Sequence, residues 1–176
     1  MKKRFIVAMD VPSRTAAVAL AQKLDPKLCW LKVGMELFTA TGPVVVEDLR
    51  SLGFEVFLDL KFHDISNTVA GAIRSAARLG VRMVNIHCLG GSKMMEAAAN
   101  AVAHIREGVR PLIIGVTVLT SMDAASLEEV GIHDSPLDEV LLLAKLAQES
   151  GLDGVVCSGQ EASVIRKATN ESFVLV

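Results

Sequence analysis

Asp59, Lys61 and Asp64 are the residues of this chain most able to do chemistry, because they put acid, base and acid where a hydrophobic strand should end. They lie in the run Asp59-Leu60-Lys61-Phe62-His63-Asp64-Ile65-Ser66-Asn67-Thr68, directly after the apolar residues Val56, Phe57 and Leu58. A continuous apolar run of that kind marks a strand buried in a parallel sheet, where a carboxylate is poorly solvated. Side chains alternate across a strand, so Asp59 and Lys61 are expected on one face, with Asp64 following from the loop beyond. A lysine held among carboxylates presents a positive charge and a proton at a fixed point, which suits a reaction that develops negative charge. The same residues also fit a structural ion pair that caps the strand and meets solvent, and the three alone do not separate the two readings.

Short apolar strands alternate with amphipathic helices along the whole chain, the pattern of a parallel sheet with helical crossovers. Strands are predicted at 5–9, 30–33, 55–60, 83–87, 112–118, 154–157 and 173–176. Ser13 is expected to cap an Ala-rich helix reaching 24, and Ser92 to cap a helix over 93–106 with Gly108 beyond its end. Pro136 suits the first turn of a helix running to 150, where Gly151 stops it. Six βα units and a seventh strand, without a break in composition, predict a single domain over 1–176. The spacing fits an open doubly wound sheet or a closed barrel, and the polar residues favour the barrel. Asp10, Lys32, Asp59 with Lys61, His87 and Thr120 follow the carboxyl ends of five successive strands, which a barrel gathers around one mouth. The expected fold is therefore α/β, a (β/α)8 TIM barrel. Such barrels take about 250 residues, so this one is expected to be truncated after its seventh strand, lacking the eighth and about 60 residues.

The chain has 176 residues, 51% hydrophobic and 22% charged, a composition able to bury a core. A formal charge of -2 with 18 scattered basic residues argues against nucleic acid as a partner, and one Trp with no Tyr leaves little surface for stacking on bases. The basic start, Met1-Lys2-Lys3-Arg4, is followed by an apolar stretch that stops at Asp10, short of a signal peptide's core. No run approaches the roughly 20 apolar residues of a membrane helix, so no membrane partner is expected. Cys29, Cys88 and Cys157 are far apart and lack zinc-ligand spacing, as reduced packing thiols of a cytoplasmic protein would be.

The run from Asp59 to Thr68 closely resembles the signature of the orotidine 5'-phosphate decarboxylases, cofactor-free enzymes that make UMP in pyrimidine biosynthesis. Val7-Ala8-Met9-Asp10, Leu31-Lys32-Val33-Gly34, Val84-Asn85-Ile86-His87 and Val116-Thr117-Val118-Leu119-Thr120-Ser121 also resemble the bacterial form, in order and across essentially the whole chain. The resemblance implies a carboxy-lyase in which Lys61 is the catalytic proton donor, Asp59 joins it in a charged network with Lys32, and Asp64 completes the set. It implies a homodimer with shared active sites, because residues matching Asp64, Ile65 and Thr68 reach into the other subunit's site. It further implies that Asp10 and Lys32 contact the ribose hydroxyls and that Thr120, with Ser121 beside it, hydrogen-bonds the pyrimidine. No metal or cofactor is implied. Ser66 departs from the family's usual proline, which loosens the loop without removing a charge. The phosphate-binding groups are expected beyond Val176.

Loss of CO2 from C6 of the orotate ring leaves a carbanion in the ring plane, where π delocalisation is poor, so stabilisation must be electrostatic. A preorganised ammonium gains interaction as charge moves from carboxylate to carbon, and such differential binding lowers the barrier. Two other readings use the same residues. A sugar-phosphate decarboxylase or aldolase-like barrel shares Asp-x-Lys-x-x-Asp but works through a metal-stabilised enediolate, for which Glu36 is the one further acid near the mouth. A non-catalytic nucleotide-binding barrel would bind UMP without turnover. Gly90-Gly91-Ser92 reads as a turn with an N-cap, and His63 and His87 as hydrogen-bonded strand-end histidines.

Overall fold

The computed structural model describes residues 5–105, 108 and 110–176. Among them seven parallel strands pair strictly in chain order: β1 (Phe5–Ala8), β2 (Cys29–Gly34), β3 (Val56–Phe62), β4 (Met83–His87), β5 (Leu112–Val116), β6 (Gly154–Val156) and β7 (Val174–Leu175). The crossovers are helical: α1 (Arg14–Ala21), the pair α2 (Met35–Thr41) and α3 (Val44–Ser51), α4 (Ser66–Arg78), α5 (Gly91–Ala103), the pair α6 (Ala124–Glu129) and α7 (Pro136–Glu149), and α8 (Ala162–Ala168). Strands in simple sequence order form the wall of a TIM barrel, whereas a doubly wound sheet reverses its order at a switch point. The barrel expectation holds.

The two faces of the sheet account for the strand sequences. Outward side chains such as Leu31, Val33, Val56, Leu58, Val84 and Ile113 join a core with helix residues that include Val69, Ile73, Met95 and Val140. Inward side chains alternate with them, and Phe57, Met83 and Ile114 form a second cluster flanked by Trp30, Leu112 and Val156. Both faces are apolar, so the strands read as near-continuous hydrophobic runs.

Element boundaries follow the predicted ones, with local differences. Ser13 caps α1, its Oγ accepting from the Ala16 N–H at 3.3 Å. The α1 helix stops at Ala21 and not at 24, because the Lys23 and Leu24 N–H groups bond back three residues to Leu20 and Ala21, the tighter 3₁₀ spacing. Strands β5 and β6 end at Val116 and Val156, short of the predicted 118 and 157. Ser135 caps α7 by accepting from the Asp138 N–H at 3.2 Å, with Pro136 opening the helix. Ser92 is not a cap: Cys88–Gly90 form a 3₁₀ turn that runs directly into α5 and leaves Ser92 inside its first turn. The predicted end of that helix at Arg106 lies outside the described residues, as does the basic start at 1–4.

Strands β6 and β7 approach closely, with Gly154 paired to Val174, and a Cβ on Gly154 would overlap the Val174 carbonyl oxygen. Gly154→Ala should therefore destabilise the full-length protein by about 1–3 kcal/mol, seen as a lower urea midpoint. An unshifted midpoint would mean that β7 yields without cost.

Candidate active site

The inward face turns polar toward the carboxyl ends of three adjacent strands, β2, β3 and β4. Lys32 from β2, Asp59 and Lys61 from β3, and Asn85 from β4 line a cavity of about 300 Å³ whose remaining walls are Ile6, Phe57, Val156 and Val176. Asp59 is the hub and is buried, 8% exposed. Its Oδ1 accepts from Lys61 Nζ at 2.7 Å and from Asn85 Nδ2 at 2.6 Å, while Lys32 Nζ lies 3.4 Å from Oδ2. Lys32 Nζ also lies 3.4 Å from Asp10 Oδ1, just past β1. Burial pushes the Asp59 carboxyl up, but the hydrogen bonds from Lys61 and Asn85 and the charges of Lys61 and Lys32 outweigh it. The net effect holds Asp59 below its ordinary value and ionised at neutral pH.

Strand β3 is bent to deliver these groups. Leu58 pairs with Val84 and Phe62 with Ile86, so Asp59, Leu60 and Lys61 stand opposite Asn85 alone, a bulge in the ladder. Lys61 has φ +51, the left-handed region that L-residues seldom occupy, and its N–H donates to Asn85 Oδ1 at 2.8 Å. The expected alternation survives: Leu60 and Phe62 pack toward the helices while Asp59 and Lys61 share the interior.

Of the sequence-predicted site residues, the structure gathers Asp10, Lys32, Asp59 and Lys61. It does not bring Asp64 to them. Asp64 is exposed, and its Oδ1 accepts from the adjacent Ile65 N–H at 2.6 Å. Ile65, 73% exposed, precedes α4, and Thr68 is exposed in its first turn. Ser66 is the first residue of α4, where a backbone N–H has no intrahelical partner, so serine and proline are both accommodated. Thr120 and Ser121 are exposed in the turn beyond β5, and Thr117 is the buried threonine of this segment.

Asn85 is the residue that sequence reasoning misses. Its signal is an amide at an inward position of an otherwise apolar strand, two residues before His87. His87 and His63 have ring centroids 5.6 Å apart. Contrary to expectation, His87 Nδ1 is buried without a hydrogen-bond partner among the described residues. Burial, then the charges of His63 and Lys61, push His87 down, so it is neutral at pH 7. Burial pushes the Cys88 thiol up to about 12, in keeping with a packing role. Among the described residues no group of three or more His, Cys, Asp or Glu could hold a metal ion, and no helix is long and apolar enough to cross a membrane.

Known proteins resemble this chain over nearly its whole length. The profile of the Orotidine 5'-phosphate decarboxylase / HUMPS family matches residues 3–176. The chain belongs to this family. It is 64% identical over 162 residues to the orotidine 5'-phosphate decarboxylase of Halorhodospira halophila, covering 92% of this chain and 68% of that protein. Over 171 residues it is 57% identical to the orotidine 5'-phosphate decarboxylase of Alcanivorax borkumensis, covering 97% and 73%. The crystal structure of orotidine 5'-phosphate decarboxylase from Lactobacillus acidophilus matches with a TM-score of 0.92 at 35% identity, covering 99% and 80%. Orotidine 5'-phosphate decarboxylases are carboxy-lyases, and the chain is an enzyme of this family.

For this orotidine 5'-phosphate decarboxylase family member, the lowered Asp59 value has a consequence for stability. Such a carboxylate contributes fully above its ordinary value of 3.8, and the contribution is lost as pH falls through the lower folded value. Asp59→Asn should therefore flatten the pH dependence of the unfolding free energy below pH 3.8. Parallel acid limbs for the two proteins would show that Asp59 is not linked to folding.

Proposed function

We propose that this chain converts orotidine 5'-phosphate to UMP for pyrimidine biosynthesis in the cytoplasm, without metal or cofactor, as a homodimer whose residues 1–176 belong to one domain. The observation that carries this reading is the Lys61 ammonium, held 2.7 Å from Asp59 inside a cavity with apolar walls. In the reaction the bond from C6 to the carboxylate breaks heterolytically, CO2 leaves and the electron pair stays on C6. A proton passes from Lys61 to C6, and the resulting amine is reprotonated from solvent. Lys61 interacts more strongly with the localised carbanion than with the departing carboxylate, and walls such as Phe57 and Val156 lower the local dielectric in which it acts.

The other assignments follow the charged cluster outward. Asp59 holds Lys61, and Lys32 bridges Asp59 and Asp10, with Asp10 and Lys32 serving the ribose hydroxyls. Thr120, exposed past β5, is assigned to the pyrimidine ring. Asp64, Ile65 and Thr68 are assigned to the partner subunit's site, and their outward exposure supports that division.

In the full-length protein Lys61→Ala should lower turnover by about 10⁴-fold or more with the circular dichroism spectrum unchanged. Substantial residual decarboxylation would remove Lys61 from the donor role. Mixing Lys61→Ala with Asp64→Ala subunits should restore activity, because each hybrid dimer then holds one site with both residues intact. Exchange of subunits without any recovery would place Lys61 and Asp64 in the same subunit's site.

A further inference from the structure

We propose that Asn85 is a positioning residue for Lys61: its carboxamide holds the β3 bulge in the backbone conformation that aims the ammonium into the cavity. This rests on the assignment of Lys61 as proton donor.

The ladder between β3 and β4 is interrupted where Asp59, Leu60 and Lys61 face Asn85 alone. At that gap Lys61 adopts φ +51, in which the Cβ of an L-residue crowds its own backbone, so the conformation persists only where surrounding contacts over-determine it. Asn85 supplies those contacts. It is 1% exposed, and its Oδ1 accepts the Lys61 N–H at 2.8 Å in the place of a ladder carbonyl. Its Nδ2 donates at 2.6 Å to Asp59 Oδ1, the same oxygen that takes Lys61 Nζ at 2.7 Å. A closed ring results, from the Asn85 amide to the Lys61 backbone, along the Lys61 side chain to Asp59, and back to Asn85. The lysine's backbone is thus tied to the buried amide directly, and its ammonium is tied to it through Asp59.

The chemistry selects this side chain. Lys61 N–H requires an acceptor and Asp59 Oδ1 requires a donor, and an amide provides one of each on a rigid fork. An apolar residue would leave a buried N–H unpaired, a loss the chain would relieve by relaxing toward an extended φ and swinging Nζ away. A carboxylate would set acceptor against acceptor. The Asn85 bond also helps to keep Asp59 below its ordinary value, which makes Asp59 a poor competitor for the ammonium's proton.

The test compares Asn85→Leu, Asn85→Asp and Lys61→Ala in the full-length protein, measuring kcat and KM for orotidine 5'-phosphate against pH. Asn85→Leu should lower kcat about 100-fold, the loss that accompanies a misplacement of about 1 Å, while KM stays within about twofold. The charged groups facing position 85 are Asp59 and Lys61 on β3 and Lys32 on β2, with His87 two residues along β4. In Asn85→Asp the new carboxyl shares a proton with Asp59, and when protonated it donates as the amide did. Its kcat relative to the native enzyme should therefore climb as pH falls, a trend that a purely structural role would not produce. A native kcat in Asn85→Leu, or a pH-independent ratio in Asn85→Asp, overturns the proposal. Should Asn85→Leu fail to fold, the pH trend of Asn85→Asp decides alone. An active Lys61→Ala would instead overturn the donor assignment beneath it, whereas an inactive Lys61→Ala beside a native Asn85→Leu defeats only the role of Asn85.

Discussion

A carboxylate on the inner wall of an apolar barrel must be met by donors from neighbouring strands, and the burial of Asp59 imposes that requirement on everything around it. Withdrawing such an ion from water costs several kcal/mol even after relaxation, so it persists only when paired and hydrogen-bonded. Lys32 from β2, Lys61 from β3 and Asn85 from β4 meet the need. Because these groups come from three adjacent strands, the pairings of β2 with β3 and of β3 with β4 must keep their register. A slip of one residue would turn every inward side chain of the slipped strand toward the helices. The charge cluster and the sheet therefore depend on each other.

An ideal ladder would not produce this arrangement. Strands β4 and β5 pair residue for residue from Met83 opposite Leu112 to His87 opposite Val116, so the irregularity next to them is confined to β3. Bulges of this kind re-aim side chains near functional sites. Here the bend sets Lys61 in a left-handed conformation at the point where its ammonium meets Asp59. The regular strands on either side supply the rigidity against which one strained residue can be held.

The decapeptide from Asp59 to Thr68 faces two ways. Its first half is strand, with Asp59 and Lys61 turned into the cavity. Its second half is a turn and the start of α4, where Asp64 is engaged by its own neighbour Ile65 and the Ile65 side chain is bare to solvent. A large exposed apolar side chain is a natural contact for another surface. The proposed assignment of these residues to a second subunit rests on the family resemblance, and their exposure is compatible with it.

The sequence by itself determined the architecture and most of the interior charges. Apolar runs broken by helical patterns fixed seven strands in order, and alternation put Asp59 and Lys61 on one face, because both follow from periodicity along a short stretch of chain. The Ser13 cap and the helix start at Pro136 were legible for the same reason, whereas the Ser135 cap just before it was not singled out and Ser92 was misread because a 3₁₀ turn entered its helix from outside the capping pattern. Tertiary structure alone decided that Asn85 belongs to the site and that, among the described residues, His87 Nδ1 is buried without a hydrogen-bond partner. Those facts depend on which residues of β4 face which residues of β3. A register shift between two strands is a relation across space, and it leaves no trace in the spacing of either one.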